Sequence, residues 1–133
     1  MKHLTVTAAI LIHNGEILCM QRKESEREYI SLKYEFPGGK AEAGETMEDA
    51  LSRELKEELN LDLRVKSNNY YMTVDHIYPD FSITMHCYKC EISNRTIECI
   101  DHHHYVWLPS NQLDTLDWAP ADWPVVKRLM GKE

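Results

Sequence analysis

Apolar and polar residues alternate along most of this chain, and the alternation sorts it into strands before any single residue is considered. HLTVTAAILIH and EILCMQR follow the two-residue period of a strand. Asn14-Gly15 lies between them, the strongest short signal for a tight β-hairpin. Residues 23–33 are charged and without period, and read as a surface loop. The short strand Tyr34-Glu35-Phe36 stops at Pro37-Gly38-Gly39, a strong chain breaker. The period then changes. With each residue advancing roughly 100° around a helix, Met47, Ala50, Leu51, Leu55 and Leu59 form one apolar stripe. Thr46 starts this helix, with Asp49 completing a weak form of the capping box, and Asn60 closes it in the left-handed conformation common at helix ends. LDLRVK, YYMTVDHIY, FSITMHCYKCEI and HYVWLP predict further strands, with a turn at Pro79-Asp80. WAPADWPVVKRLM predicts a last short helix, with Asp122 as its N-cap and Pro124 in its first turn. This order predicts an α+β fold, a mixed sheet with a helix packed on it and a second helix at the C-terminus. Without repeats or linkers, residues 1–133 read as a single domain.

Composition narrows the function. The longest apolar run, Ala8 to Ile12, is too short to span a bilayer and lies inside a strand, so neither an anchor nor a signal peptide is expected and the default location is cytoplasmic. A net charge of −7 argues against binding a nucleic-acid polymer. It leaves open a small phosphorylated ligand that arrives with a metal ion. The four cysteines are expected to be reduced thiols. Cys87 and Cys90 form a CxxC, and His102, His103 and His104 follow, which raises a zinc site. Yet residues three apart on a strand face opposite sides, which disfavours it.

The central helix carries the chemistry. Glu54 and Glu58 project into the middle of its apolar stripe and Glu57 sits on the flank. Asp49, Ser52, Arg53 and Lys56 are expected to point outward. Two carboxylates about 6 Å apart repel by roughly 3 kcal/mol at an effective dielectric near 20. On a half-buried face they also lose hydration, so either their pKa values rise or a cation neutralises them. Oxygen ligands with no histidine on the helix suit Mg²⁺, with Mn²⁺ as a substitute. Gly38 and Gly39 permit close approach of backbone, so a main-chain carbonyl can join the ligands. The competing reading is a surface helix laced with salt bridges.

These residues resemble the Nudix hydrolase signature at Gly39, Glu45, Arg53, Glu54, Leu55, Glu57, Glu58, Asn60 and Leu61, with Asn60 replacing the usual Gly. VTAAIL, EFPGGK and WAPADWPVV extend the resemblance to the short MutT-like branch, most closely to bacterial CTP pyrophosphohydrolases. The resemblance implies an α/β/α sandwich around a mixed sheet and Mg²⁺-dependent attack of water on a nucleoside triphosphate, releasing monophosphate and pyrophosphate. CTP and oxidised triphosphates such as 8-oxo-dGTP are the implied substrates, acted on by a monomer or homodimer. By position, Glu54, Glu57 and Glu58 would hold metal with the Gly39 carbonyl, and Asp101 is a further candidate ligand or else a solvated loop aspartate. One of the acids would orient or deprotonate water. Arg53 would orient Glu45 through a bidentate pair.

For substrate, Arg22 is placed to contact phosphate or base, or is a solvent-facing strand-end residue. Phe36 can stack on the base or fill the core, and Glu35 can accept from a base amine or stay exposed. Asp122 matches a base-contacting position, where a carboxylate accepts from an exocyclic amine; its alternative is the N-cap. His76 lies where close relatives carry a substrate-binding arginine, although a surface histidine suits it better. Hydrolysis of a dinucleoside polyphosphate or nucleotide sugar, and non-catalytic nucleotide binding, are the alternatives in function.

Overall fold

In the computed structural model, which describes residues 1–132, the chain runs β1 (Lys2–His13), β2 (Glu16–Gln21), β3 (Tyr34–Glu35), β4 (Gly38–Lys40), α1 (Met47–Leu59), β5 (Tyr70–Ile77), β6 (Phe81–Glu91), β7 (His104–Pro109) and α2 (Trp123–Leu129). Short 3₁₀ turns occupy Ser67–Asn69, Ser110–Thr115 and Pro120–Asp122. The β1–β2 hairpin closes with Ile12 opposite Ile17 and His13 opposite Glu16. Asn14 and Gly15 both have positive φ, 50° and 77°, as a turn matching the twist of its strands requires.

β1 organises the sheet, whose order is β3-β2-β1-β6-β5, with β4 also paired to β1 and β7 to β2. Its ladder with β6 is parallel from Lys2 opposite Phe81 to Ile12 opposite Glu91. The other strand pairs are antiparallel. Alternation along β1 divides the core. Ala8 and Ile10 join Phe36, Trp118, Val125 and Val126 beneath α2, whereas Ala9 and Leu11 join Leu51, Leu55 and Leu59 of α1. A strand buried on both faces between two helices is the centre of an α/β/α sandwich.

The predicted hairpin, central helix, last helix and three of the four later strands are present at the expected places. LDLRVK is not a strand. Its Leu61, Leu63 and Val65 pack with α1, and the Val65 N–H donates to Ser52 Oγ at 3.0 Å. Ser52, expected to face solvent, therefore holds this segment to the helix, and the segment pairs with no strand. The zinc reading also fails. Cys87 and Cys90 point into opposite core clusters, and burial pushes their thiols up to about 12 and about 11, away from the thiolate a metal needs. Among the described residues no helix is long and apolar enough to cross a membrane.

Candidate active site

β4 lies so close to its neighbours that side chains are excluded. A Cβ on Gly38 would overlap the Thr7 carbonyl, and one on Gly39 would overlap the Glu54 carboxylate. The two glycines thus let the acidic face of α1 approach bare backbone. Glu54 is largely buried there, and Glu58 Oε2 is buried with no hydrogen-bond partner. Burial is the main cause that raises both carboxyls, Glu58 to about 7. Glu54 and Glu35 push Glu58 further up, while His102 and the Gly38 N–H oppose the rise.

Arg53 does not point away. Its Nε and Nη2 grip Glu45 at 2.8 and 3.0 Å, and its Nη1 reaches Glu54 at 2.9 Å and Glu57 at 3.2 Å. Nη2 also donates to the Lys40 carbonyl at 3.0 Å, tying the helix to the end of β4. A long stem and five donors let one arginine fold back along its helix and bind several acceptors at once. The same contacts hold the Glu45 carboxyl below its ordinary range.

A cleft of about 690 Å³ opens beside Glu58 and Gly39. Arg22, Glu35, Phe36, Asp101, His102 and Asp122 line it as well. Arg22 Nη1 donates to Glu35 Oε1 at 3.0 Å, and the other Glu35 oxygen meets His102 Nε2 at 2.9 Å. Phe36 is buried against the Trp118 ring at 4.7 Å. Its N–H donates to Asp122 Oδ1 at 3.2 Å.

That contact corrects the expected helix cap. Asp122 precedes α2, but it has helical φ and ψ, −86° and −20°, and makes no side-chain capping bond. The preceding 3₁₀ turn fixes this conformation, whereas a capping residue needs an extended one. Its carboxyl is buried and raised well above the ordinary range, first by burial and then by Glu35.

His76 lies outside the cleft lining, with its ring edge-on to Tyr78 at 4.4 Å. Asp101 is on the rim, 74% exposed and paired with Lys23 at 3.4 Å. Glu57 is also outward, 58% exposed on Arg53. Among the described residues no three His, Cys, Asp or Glu side chains converge as a complete ligand set. The donors nevertheless fit a hard divalent cation. An unpaired buried carboxylate oxygen faces a cleft beside a second acid cradled on glycine backbone.

Two lining residues carry no local signal of a place in the cleft. His102 stands out in the sequence only as part of a possible zinc cluster, yet its side chain is just 6% exposed and its Nδ1 is buried without a partner. Tyr78 is buried, and its hydroxyl accepts from the Ala121 N–H at 3.1 Å. A run of three histidines hides which one turns inward. The observable difference lies one step later, where the His103 N–H donates to the Gln21 carbonyl at 2.9 Å.

The NUDIX domain model matches residues 1–129. The chain belongs to the Nudix family. It is similar to the CTP pyrophosphohydrolase of Escherichia coli K12, 32% identical over 98% of this chain and 93% of that protein. The 8-oxo-dGTP diphosphatase of the same organism is 29% identical, with 97% and 98% covered. A solution structure of MutT from methicillin-resistant Staphylococcus aureus 252 superposes with a TM-score of 0.75 at 40% identity, covering 100% of both chains. In this MutT-like Nudix hydrolase the signature spans Gly39 to Leu61, and its one departure is accommodated locally. Asn60 adopts φ 51° and ψ 37°, and the Leu61 N–H reaches back to the Leu55 carbonyl at 3.3 Å, closing the helix as glycine would.

Proposed function

We propose that this Nudix hydrolase is a divalent-metal-dependent nucleoside triphosphate pyrophosphohydrolase, with Mg²⁺ as the metal and CTP or oxidised deoxynucleoside triphosphates as substrates. Water attacks a phosphorus of the chain, a phosphoanhydride bond breaks, and nucleoside monophosphate and pyrophosphate leave. The observation that carries this reading is the unpaired Glu58 oxygen beside Glu54 and Gly39, in a cleft that Arg22, Glu35, Phe36 and Asp122 also line. Relatives named for CTP and 8-oxo-dGTP support the substrate class.

Glu54, Glu58 and the Gly39 carbonyl would hold the metal, with Glu57 and Asp101 as further ligands. Bound there, the ion supplies charge neutralisation for phosphoryl oxygens and a lowered pKa for water. The protein's own groups do the rest. Arg53 holds Glu54 and Glu57 while clamping Glu45, so the acidic face of α1 keeps its relation to the preceding loop. Glu58, raised to about 7 by burial, can shed its proton near neutrality and become an anionic ligand. Arg22 faces the cleft with a donor for a phosphate or base oxygen. Phe36 and Asp122, joined by the Phe36 N–H, form the base end, where a protonated Asp122 can donate as well as accept.

A panel of normal and oxidised nucleoside triphosphates, incubated with Mg²⁺ and followed for pyrophosphate and monophosphate, tests the reading. Release of orthophosphate instead, or turnover without any divalent ion, would overturn it.

A further inference from the structure

Among the described residues three buried side-chain atoms lack a hydrogen-bond partner: Arg22 Nε, His102 Nδ1 and Glu58 Oε2. All three residues line the same cleft. Buried polar atoms are rarely left unpaired, and their concentration at one place marks where a ligand completes the bonding. Arg22 and His102 also grip the same acid, one oxygen each, at 3.0 and 2.9 Å. With both oxygens taken, the Glu35 carboxylate has a fixed plane. Arg22 in turn has Nη1 committed to Glu35 and Nε left unpaired.

We propose that His102 is a positioning residue for the nucleotide: its Nε2–H fixes the Glu35 carboxylate, so that Arg22 presents Nε to an acceptor oxygen of the substrate. The proposal rests on the pyrophosphohydrolase reading above. Facing a carboxylate, Nε2 carries its hydrogen whether the ring is neutral or charged. The arrangement is therefore geometric and needs no change of protonation. His102 reaches the substrate through Glu35 and Arg22, so its loss weakens binding more than it slows the chemical step.

Glutamine places an N–H near the position of histidine Nε2, whereas asparagine reproduces Nδ1. With the triphosphate the wild type hydrolyses best, His102→Asn should raise KM about 10-fold while kcat falls less than about 3-fold. His102→Gln should restore KM to within about 3-fold of wild type. Glu35→Gln combined with His102→Asn should raise KM no further than the worse single variant, because both remove one contact. Equal impairment of the Gln and Asn variants, multiplying effects in the double variant, or a loss confined to kcat would each overturn the role. If His102→Asn does not fold, ¹⁵N spectra of the wild-type ring decide. A protonated Nε2 whose signal moves in Glu35→Gln supports the contact, and an unprotonated Nε2 overturns it. A wild-type chain that hydrolyses no triphosphate removes the proposed function and this role together. An active wild type with unaltered KM in the variants removes the role alone.

Discussion

One group of site residues, the helix end, is Gly39, Glu54 and Glu58, which come from a single continuous stretch, residues 39–58, and meet because α1 returns over β4. The second group, the assembled end, brings Phe36 and Asp122 together across 86 positions of sequence, and Glu35 and His102 across 67. The first end depends on the pitch of one helix, whereas the second exists only once the whole sheet is assembled. Substitutions at the helix end should therefore strike the chemical step, and those at the assembled end should redistribute affinity among substrates.

The largest effect is expected at Glu58. Glu58→Gln should fold normally yet lower kcat by about two orders of magnitude or more, since it would remove the anionic ligand proposed above where charge must be neutralised. Retention of more than about half the wild-type rate at saturating Mg²⁺ would erase the difference between the two ends.

The second expectation concerns pH. The folded Glu58 carboxyl titrates at about 7, against an ordinary value of 4.5. The folded state then binds the proton more tightly than the unfolded state, so this contribution to stability is complete below about 4.5 and is lost as pH rises toward 7. The unfolding free energy of the metal-free protein in urea should fall across that window by an amount on the order of 3 kcal/mol, and Glu58→Gln should flatten the slope. Mg²⁺ should stabilise the protein more at pH 8 than at pH 5.5, because the ligand must first lose its proton. Equal stabilisation at both would separate Glu58 from the metal.

Asp122→Asn should act at the assembled end, changing relative kcat/KM among CTP, dGTP and an oxidised purine triphosphate by about 10-fold with Mg²⁺ dependence unchanged. Equal fold-changes for all three would retire Asp122 as a reader of the base. The smallest effect is expected at Asn60→Gly. Relief of left-handed strain opposes loss of the exposed bond from Asn60 Nδ2 to Glu98, so stability should change by less than about 1 kcal/mol. A larger loss in thermal unfolding would give the Glu98 contact a structural weight that its exposure does not suggest.

The same contrast explains what could be read before the fold was known. A stripe of leucines interrupted by Glu54 and Glu58 is a statement about period, and period survives into structure. The expected Arg53–Glu45 pair is present, yet Arg53 does not point outward, because angular position describes where a side chain leaves the helix, not where a flexible guanidinium ends. Asp122 lines the cleft but does not cap its helix, since its partner is the N–H of Phe36, which no local pattern brings near. His102 was invisible for a related reason. Its burial comes from the packing of a loop against β3, and only the assembled sheet distinguishes it from His103 and His104. LDLRVK has the alternation of a strand, but Ser52 takes the Val65 N–H and the segment settles on the helix.

The parallel ladder between β1 and β6 also sets a timetable for synthesis. His3 and Ser82 are neighbours in the sheet yet 79 residues apart in the chain. β1 therefore leaves the ribosome long before its central partner, and the apolar run from Ala8 to Leu11 must wait exposed or in provisional contacts until β6 follows. The hairpin with β2 and the short pairing with β4 are available earlier and can shelter part of that strand. Truncation within β6 should accordingly produce an aggregating chain rather than a smaller folded one, because closing this ladder is the long-range step on which both helices depend.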